Sequence, residues 1–432
     1  MYIISNFVQF ITNLGEYKMK KIVLLLMISL LTAFFTVSCG GKNSASSNSI
    51  TVMVPDWAVP SDEMLDAFTK DTGITVNMNV IAWENIRDKI SIAAAGGTAA
   101  ADVVEVDWSW VGEFNSADWL EPIELSKEEI EAMPSIQPFI IEGKVLALPY
   151  ANDFRLAYYN KKHFEAAGIT EAPKSWDDVY AALKAIKAAG VSKYPFSMPL
   201  NADESCTTSL IWMAYSKYGV VFNEDGSLNK DAVLGALQFI NQMINVDNLI
   251  DPACKTSTGM DAYRRINSGE ASFIVGPTSF VSRVQDPNES KVAGEVIPIL
   301  LPGATGPSPK TFALPEGVGV IKLSKNKEAA MKFVKWFNSP ETQKQLNYVQ
   351  NTMPTRTAVM EDLINEGKLK NTGALLEEST LISSPFPKGV PSYYSEMTTA
   401  IFNAVNEMVL GAKTPEEAFN AMDIKIKELA AR

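Results

Sequence analysis

Residues 50–108 alternate strand and helix signals in an unbroken order, and that order limits the possible folds more than any other feature. Ile50-Thr-Val-Met-Val54 is rich in β-branched residues and reads as a strand, broken by Pro55-Asp56-Trp57. Ser61 reads as a helix N-cap, with Asp62 and Glu63 set favourably against the helix dipole. Met64, Leu65 and Phe68 form that helix's apolar face, and Gly73 stops it. Ile74, Val76, Met78 and Val80 alternate with polar residues as a second strand. Ile86, Ile90 and Ala94 mark a second helix, and Asp102–Val106 a third strand. This β-α-β-α-β order implies an α/β fold with open, mostly parallel sheets and helices on both faces. Ligands of such sheets sit beyond the carboxyl ends of the strands, where Asp56-Trp57 and Asp107-Trp108 both fall.

Further along, Gly143–Tyr150 reads as a strand and Arg155–Asn160 as an extended link. A capped helix starts at Ser175-Trp176-Asp177-Asp178, with Val179, Leu183 and Ile186 on its buried face. Ala329, Phe333, Trp336 and Phe337 mark another amphipathic helix. Thr414-Pro415-Glu416-Glu417 opens the last one, whose core face is Phe419, Met422, Ile426 and Leu429. A chain of 432 residues exceeds one ordinary core and suits two lobes. The formal charge of −12, with no basic cluster, argues against nucleic acid as a partner.

The N-terminus reads as an export signal over residues 1–38. Lys18, Lys20 and Lys21 precede an apolar run from Ile22 to Val37 and then Ser38-Cys39-Gly40. At about 1.5 Å per residue the run falls short of a ~30 Å hydrocarbon core. Met19 is a possible alternative start. The segment resembles a bacterial lipoprotein signal, which implies that Cys39 carries lipid and that residues 39–49 form a flexible tether. Cys206 and Cys254 are compatible with one disulfide or with two buried thiols. His163 is the only histidine, so no His/Cys spacing marks a metal site; the side chain is expected at the surface. No cofactor is expected. No Gly-x-Ser-x-Gly elbow or phosphate loop is present, which argues against an enzyme.

Gly143-Lys-Val-Leu-Ala-Leu-Pro-Tyr150, Asp153, Tyr158-Tyr159-Asn160-Lys161, Phe164, Ala167-Gly168-Ile169 and Pro173–Asp178 together form a recognisable series. It continues through Ser324–Ala330, Phe333–Trp336, Pro354-Thr355-Arg356, Tyr393 and Thr414–Ala418. The series resembles the signature of the family 1 extracellular solute-binding proteins of ABC importers, the group that includes maltose-binding protein. The resemblance implies a type II two-lobe periplasmic-binding-protein fold whose hinge is crossed more than once. Residues 50–152 plus 312–358 are expected in lobe 1, and 156–308 plus 360–432 in lobe 2. It further implies a monomer in the cell envelope, anchored to the membrane, that closes on a solute and hands it to permease subunits.

A sugar presents apolar faces and a hydroxyl rim, which aromatic rings and Asp, Asn or Arg side chains satisfy. Asp56, Trp57, Trp83, Asp107 and Trp108 are candidates because they follow strands. The resemblance adds Asp153, at a position where maltose-binding protein has an acidic ligand contact, with a salt bridge to Arg155 as its other reading. It also adds Asn201 and Glu204 in the second lobe's cleft loop. Thr278 stands where maltose-binding protein has a stacking tryptophan after Gly-Pro, and this departure weighs against maltodextrin. Tyr393, Tyr394 and Arg356 complete the set. Trp119, Trp176 and Trp336 are expected in cores, and Trp110 and Trp212 stay unassigned. Competing cargoes are polyamine, iron or phosphonate; competing classes are a glycan-processing enzyme or a structural lipoprotein. The pair Tyr158-Tyr159 argues against iron, because strand geometry points the two to opposite sides.

Overall fold

The computed structural model describes residues 48–432, and Ser49–Arg432 cluster as a single unit. Residues 1–38, read above as an export signal, Cys39 and nearly all of the stretch read as a tether lie outside the described residues. The chain opens with β1 (Ser49–Val54), β2 (Thr75–Val80) and β3 (Val103–Asp107). A hairpin of β4 (Ile140–Ile141) and β5 (Lys144–Val145) follows, then β6 (Leu148–Ala151) and β7 (Arg155–Asn160). The remaining strands are β8 (Phe196–Ser197), β9 (Phe273–Pro277), β10 (Val296–Ile299) and β11 (Glu316–Val320).

Two larger sheets result, ordered β2-β1-β3-β11-β6 and β10-β7-β9-β8. β1 runs parallel to β2 and β3. β11 runs antiparallel to both of its neighbours, as β7 does in the second sheet. Each sheet thus has one reversed strand, and each reversed strand follows a passage of chain from the other sheet.

The local signals at the start act as expected. Ser61 accepts a hydrogen bond from the Met64 amide at 3.4 Å to cap the helix Asp62–Thr72, and Gly73 ends it in the left-handed conformation at φ 70°. Ser175 and Asp178 form a complete capping box, as do Thr414 and Glu417. Alternation along the strands feeds cores on both sheet faces. Ile50, Val52 and Val54 pack with Phe333 and Phe337, whereas Met53 packs with Ile86 and Phe114 on the other side. In the second sheet, Leu156 and Tyr158 face one core while Ala157 and Tyr159 face another.

The chain passes between the sheets three times. Residues 152–154 join β6 to β7, and the stretch after β10 returns to β11. The third passage leaves the helix Pro340–Gln350, whose Gln343 donates to the Pro149 carbonyl at 3.2 Å. It enters the helix Thr357–Asn365, where Val359, Met360 and Leu363 pack with Leu156 and Ile274. Cross-links bind these passages together. The Asn152 amide donates to the Met353 carbonyl at 2.8 Å, and the Leu314 amide to the Asp153 carbonyl at 2.6 Å.

Three expectations change. Arg155–Asn160 is not a link but strand β7, buried at all six positions, because its two alternating faces both meet apolar cores. Gly143–Tyr150 is interrupted, with Leu146-Ala147 passing between β5 and β6. His163 is half-buried rather than at the surface; its Nδ1 lies 2.9 Å from Ser272 Oγ, and burial lowers its pKa. Cys206 and Cys254 are both buried free thiols. Among the described residues, no helix is long and apolar enough to cross a membrane.

Candidate functional site

The carboxyl ends of β1 and β3 and the amino end of antiparallel β11 lie side by side, because Glu316 pairs directly with Asp107. Pro55 ends β1, and a single 3-10 turn, Asp56–Ala58, carries Asp56 and Trp57 outward. Trp57 is 44% exposed, and its indole N–H donates to Glu316 Oε2 at 2.6 Å. Asp56 is exposed, with Oδ1 accepting from the Trp57 amide at 3.0 Å.

The second Asp-Trp pair is buried. Asp107 Oδ1 accepts the Ser109 amide at 2.8 Å and the Ser109 hydroxyl as well. Burial pushes the Asp107 pKa up to about 7, against those hydrogen bonds and with help from Glu204 and Asp153. Trp108 is 4% exposed and lies edge-on to Tyr394 at 5.1 Å between ring centres. Phe386 and Phe312 flank it at 6.1 and 6.3 Å.

Tyr394 opens the helix Tyr394–Val409, which packs with the helix Glu204–Tyr218 of the second lobe. Its hydroxyl donates to Glu204 Oε1 at 2.6 Å, and Thr398 donates to Glu204 Oε2 at 2.6 Å. Burial raises Glu204 to about 7 despite these donors. Glu316 is also raised to about 7, by burial first and then by Asp107. The Tyr150 hydroxyl lies 2.9 Å from Glu316 Oε2 and 3.1 Å from Glu105 Oε2. One hydroxyl proton serves only one of these contacts, so the other needs a protonated carboxyl. Burial pushes the pKa of wholly buried Glu105 well up, with Glu316 and Asp107 adding to it.

Asp153 pairs with Arg155 at 2.6 Å, and Arg155 is 7% exposed. Burial raises the Asp153 pKa, with Arg155 opposing. Removing Asp153 would strand a buried guanidinium, so an Asp153→Ala variant loses stability as well as any ligand contact.

The other candidates have different surroundings. Asn201 is half-buried and donates to Asp203 Oδ2 at 2.9 Å, beside the N-cap that starts the Glu204 helix. Buried Thr278 donates its hydroxyl proton to the Asn152 carbonyl at 2.7 Å, tying β9 to the first passage. Arg356 commits Nε and Nη2 to the carbonyl and side chain of Asn338 at 2.8 and 3.0 Å. Trp83 begins the helix Trp83–Ala95 and rests on Trp110 at 4.9 Å, at the margin of a lobe 1 core. Tyr393 is half-buried against the lobe 2 core next to Tyr394. Trp110 and Trp212 are buried, the latter stacked on Trp176 at 5.7 Å.

Asp107, Asp153 and Glu204 are therefore brought into one electrostatic group, with Trp57, Trp108 and Tyr394 around it. Glu316, Glu105 and Tyr150 belong to the same group and were not singled out from the sequence. Only the antiparallel register of β11 reveals them, and no local signal encodes that register. Two surface cavities, about 370 and 330 Å³, lie elsewhere, lined by Trp119 and Leu323 in one case and Tyr194 and Arg265 in the other.

A close backbone approach lies beside the Trp108 contacts with Tyr394 and Phe386. The helix Val111–Ser116 places Gly112 against the loop before Tyr394. A Cβ added there would lie 2.3 Å from the Val390 carbonyl oxygen. Beside it, Ser395 Oγ lies 3.4 Å from Glu113 Oε2, which also holds Arg87 at 2.7 Å.

The chain is 26% identical over 408 residues to a putative binding protein of Brucella abortus (strain 2308), covering 90% of this chain and 93% of that one. Maltose-bound MalE3 of T. maritima superposes with a TM-score of 0.77 at 24% identity, covering 88% of this chain and 99% of that one. A solute-binding protein of Agrobacterium radiobacter K84 in complex with ribitol gives a TM-score of 0.78 at 18% identity, covering 88% and 98%. The family model for bacterial extracellular solute-binding proteins matches residues 55–344. The chain belongs to that family, the non-enzymatic solute-binding proteins of ABC transporters, and has its two-lobe α/β fold.

Proposed function

We propose that this chain captures a mono- or oligosaccharide between its lobes and delivers it to the transmembrane subunits of an ABC importer. The observation that carries this reading is the meeting of Trp57, Trp108 and Tyr394 with Asp107, Glu204 and Glu316 at the strand ends. Rings suit the apolar faces of a sugar, and carboxyl oxygens suit its hydroxyls. The maltose and ribitol held by the two structural neighbours support a polyhydroxylated cargo. Closure follows from ligand contacts made on both lobes at once, which favour the closed population. The lobe boundaries fall at the three passages between the sheets.

Membership of the family places the protein on the periplasmic or extracellular side of the membrane. We further read Cys39 as the lipidated residue and the protein as a tethered monomer. Cys39→Ser should then release it from membranes, and persistent membrane association would remove the anchor.

A thermal-shift screen of the full chain against sugars, polyols, polyamines and iron tests the cargo. A ligand at 100-fold its dissociation constant stabilises the fold by about 2.7 kcal/mol. Stabilisation by sugars is expected; stabilisation by polyamines or iron alone would overturn the carbohydrate reading.

A further inference from the structure

Trp57 presents an open ring, 44% exposed, on a turn whose backbone is fixed. The Ala58 amide donates to the Pro55 carbonyl at 3.1 Å, Ala58 is wholly buried, and Gln350 Nε2 donates to the Val59 carbonyl. The backbone is held while the side chain keeps two rotatable bonds. Among the described residues no other aromatic ring lies against this indole, whereas Trp83 rests on Trp110 at 4.9 Å and Trp108 on Tyr394 at 5.1 Å. Ring packing therefore does not orient Trp57 as it orients those two. A hydrogen bond does: Nε1–H donates to Glu316 Oε2 at 2.6 Å.

Glu316 is in turn aimed by an irregularity in the sheet. Ala151 of β6 pairs with Glu316 and Pro149 with Gly317, which leaves Tyr150 as an extra residue in that strand. Such a bulge re-aims the side chains beside it. Here the hydroxyl of wholly buried Tyr150 reaches Glu316 Oε2 at 2.9 Å and Glu105 Oε2 at 3.1 Å. Gly317 lets β11 approach closely at this point, since a Cβ there would lie 3.0 Å from the Leu148 carbonyl oxygen and from the Phe139 ring. A buried frame thus holds the carboxyl, and its oxygen holds the indole.

We propose that Glu316 is a positioning residue, which fixes the Trp57 indole beforehand in the orientation that packs against the ligand. The inference rests on the carbohydrate reading above and deepens it. The indole N–H lies in the plane of the ring, so a bond there leaves the faces free for the C–H groups of a sugar. A side chain ordered only on binding costs affinity, and one ordered in advance does not. Trp57 Nε1–H and the Tyr150 hydroxyl meet at the same oxygen. The role therefore requires an acceptor at that point rather than a charge, and a glutamine amide oxygen supplies one.

The test uses the full chain and two readouts. In the free protein, the indole N–H resonance of Trp57 is assigned by its loss in Trp57→Phe. It should move upfield in Glu316→Ala, where the bond is gone, and stay near its wild-type place in Glu316→Gln. Calorimetric titration follows with glucose, xylose, arabinose, maltose, cellobiose, maltotriose and ribitol, the tightest of which is carried through the variants. Glu316→Ala should weaken binding by about twofold to tenfold, the effect of ordering one such side chain. Glu316→Gln should restore it to within about twofold of wild type. Trp57→Phe keeps a ring but has no N–H to hold, so adding Glu316→Ala to it should change affinity by less than about twofold. Should Glu316→Ala fail to fold, Glu316→Met, which fills the space with only a weak acceptor, takes its place in every arm.

An unmoved resonance in Glu316→Ala overturns the positioning role. So does an equal loss of affinity with and without the indole, which would make Glu316 a ligand contact in its own right. Failure of the whole panel to bind overturns the carbohydrate reading and not the hold of Glu316 on Trp57, which the resonance tests by itself.

Discussion

Two Asp-Trp pairs end two neighbouring parallel strands, Asp56-Trp57 after β1 and Asp107-Trp108 after β3. In sequence they are equivalent. In the fold, Trp57 is 44% exposed and its indole N–H donates to Glu316, whereas Trp108 is 4% exposed among Tyr394, Phe386 and Phe312. The aspartates differ in the same way, one on the surface and one with its pKa raised to about 7. The difference comes from sheet order. β3 lies at the centre, next to the reversed strand and the passages to lobe 2, while β1 has only β2 beyond it. The same dipeptide therefore joins the lobes in one place and lines an open wall in the other.

That division of labour can be broken from the buried side first. Trp108→Ala should cost about 3–5 kcal/mol in chemical denaturation, the range for truncating a buried tryptophan. A cost near zero would mean that Trp108 does not join the lobes.

Asp107→Asn should change the response to pH more than the stability itself. A carboxyl at about 7 in the fold and ~3.9 when unfolded holds its proton more tightly in the folded state. Stability therefore falls as pH rises from about 4 to about 7, because across that window folding must take up a proton that the unfolded carboxylate has lost. The amide removes that group's share, so the urea midpoint should vary less across this window. An unchanged slope would place the titration elsewhere, in Glu204 or Glu316.

Gly112→Ala acts where the helix Val111–Ser116 meets the loop before Tyr394. Overpacking costs ~1–3 kcal/mol, here through a Cβ 2.3 Å from the Val390 carbonyl oxygen. Ligand affinity should fall by roughly tenfold, with a larger radius of gyration in solution scattering and an unchanged circular dichroism spectrum. Full affinity would show that this contact is not needed for closure.

The smallest effect belongs to Asp56→Ala, within about 0.5 kcal/mol in stability, since Asp56 is exposed and touches only its own turn. A loss of several-fold in affinity would make Asp56 a ligand contact and restore the symmetry between the two pairs.

The unequal fates of these dipeptides also mark what a sequence can reveal. Caps at Ser61, Ser175 and Thr414 were legible because their partners lie within three residues. The strand ends bearing Asp56 and Asp107 were legible from alternation and turn residues. Arg155–Asn160 was not legible as a strand, because a strand buried on both faces lacks the polar alternation that signals one. Glu316 was missed for a related reason. Its role depends on antiparallel pairing with Asp107 from a distant part of the chain, and nothing local in Glu316-Gly317-Val318 specifies that partner. Thr278 and Arg356 read as ligand candidates by position; in the fold the Thr278 hydroxyl donates to the Asn152 carbonyl, and Nε and Nη2 of Arg356 donate to Asn338.

The most direct measurement is a calorimetric titration of the most stabilising carbohydrate into the wild-type protein and into Trp57→Ala. Because Trp57 is exposed, the substitution should leave the melting temperature within a few degrees while weakening binding by roughly tenfold at one site per chain. Equal affinity in the two proteins would contradict a sugar bound against the open wall of the cleft.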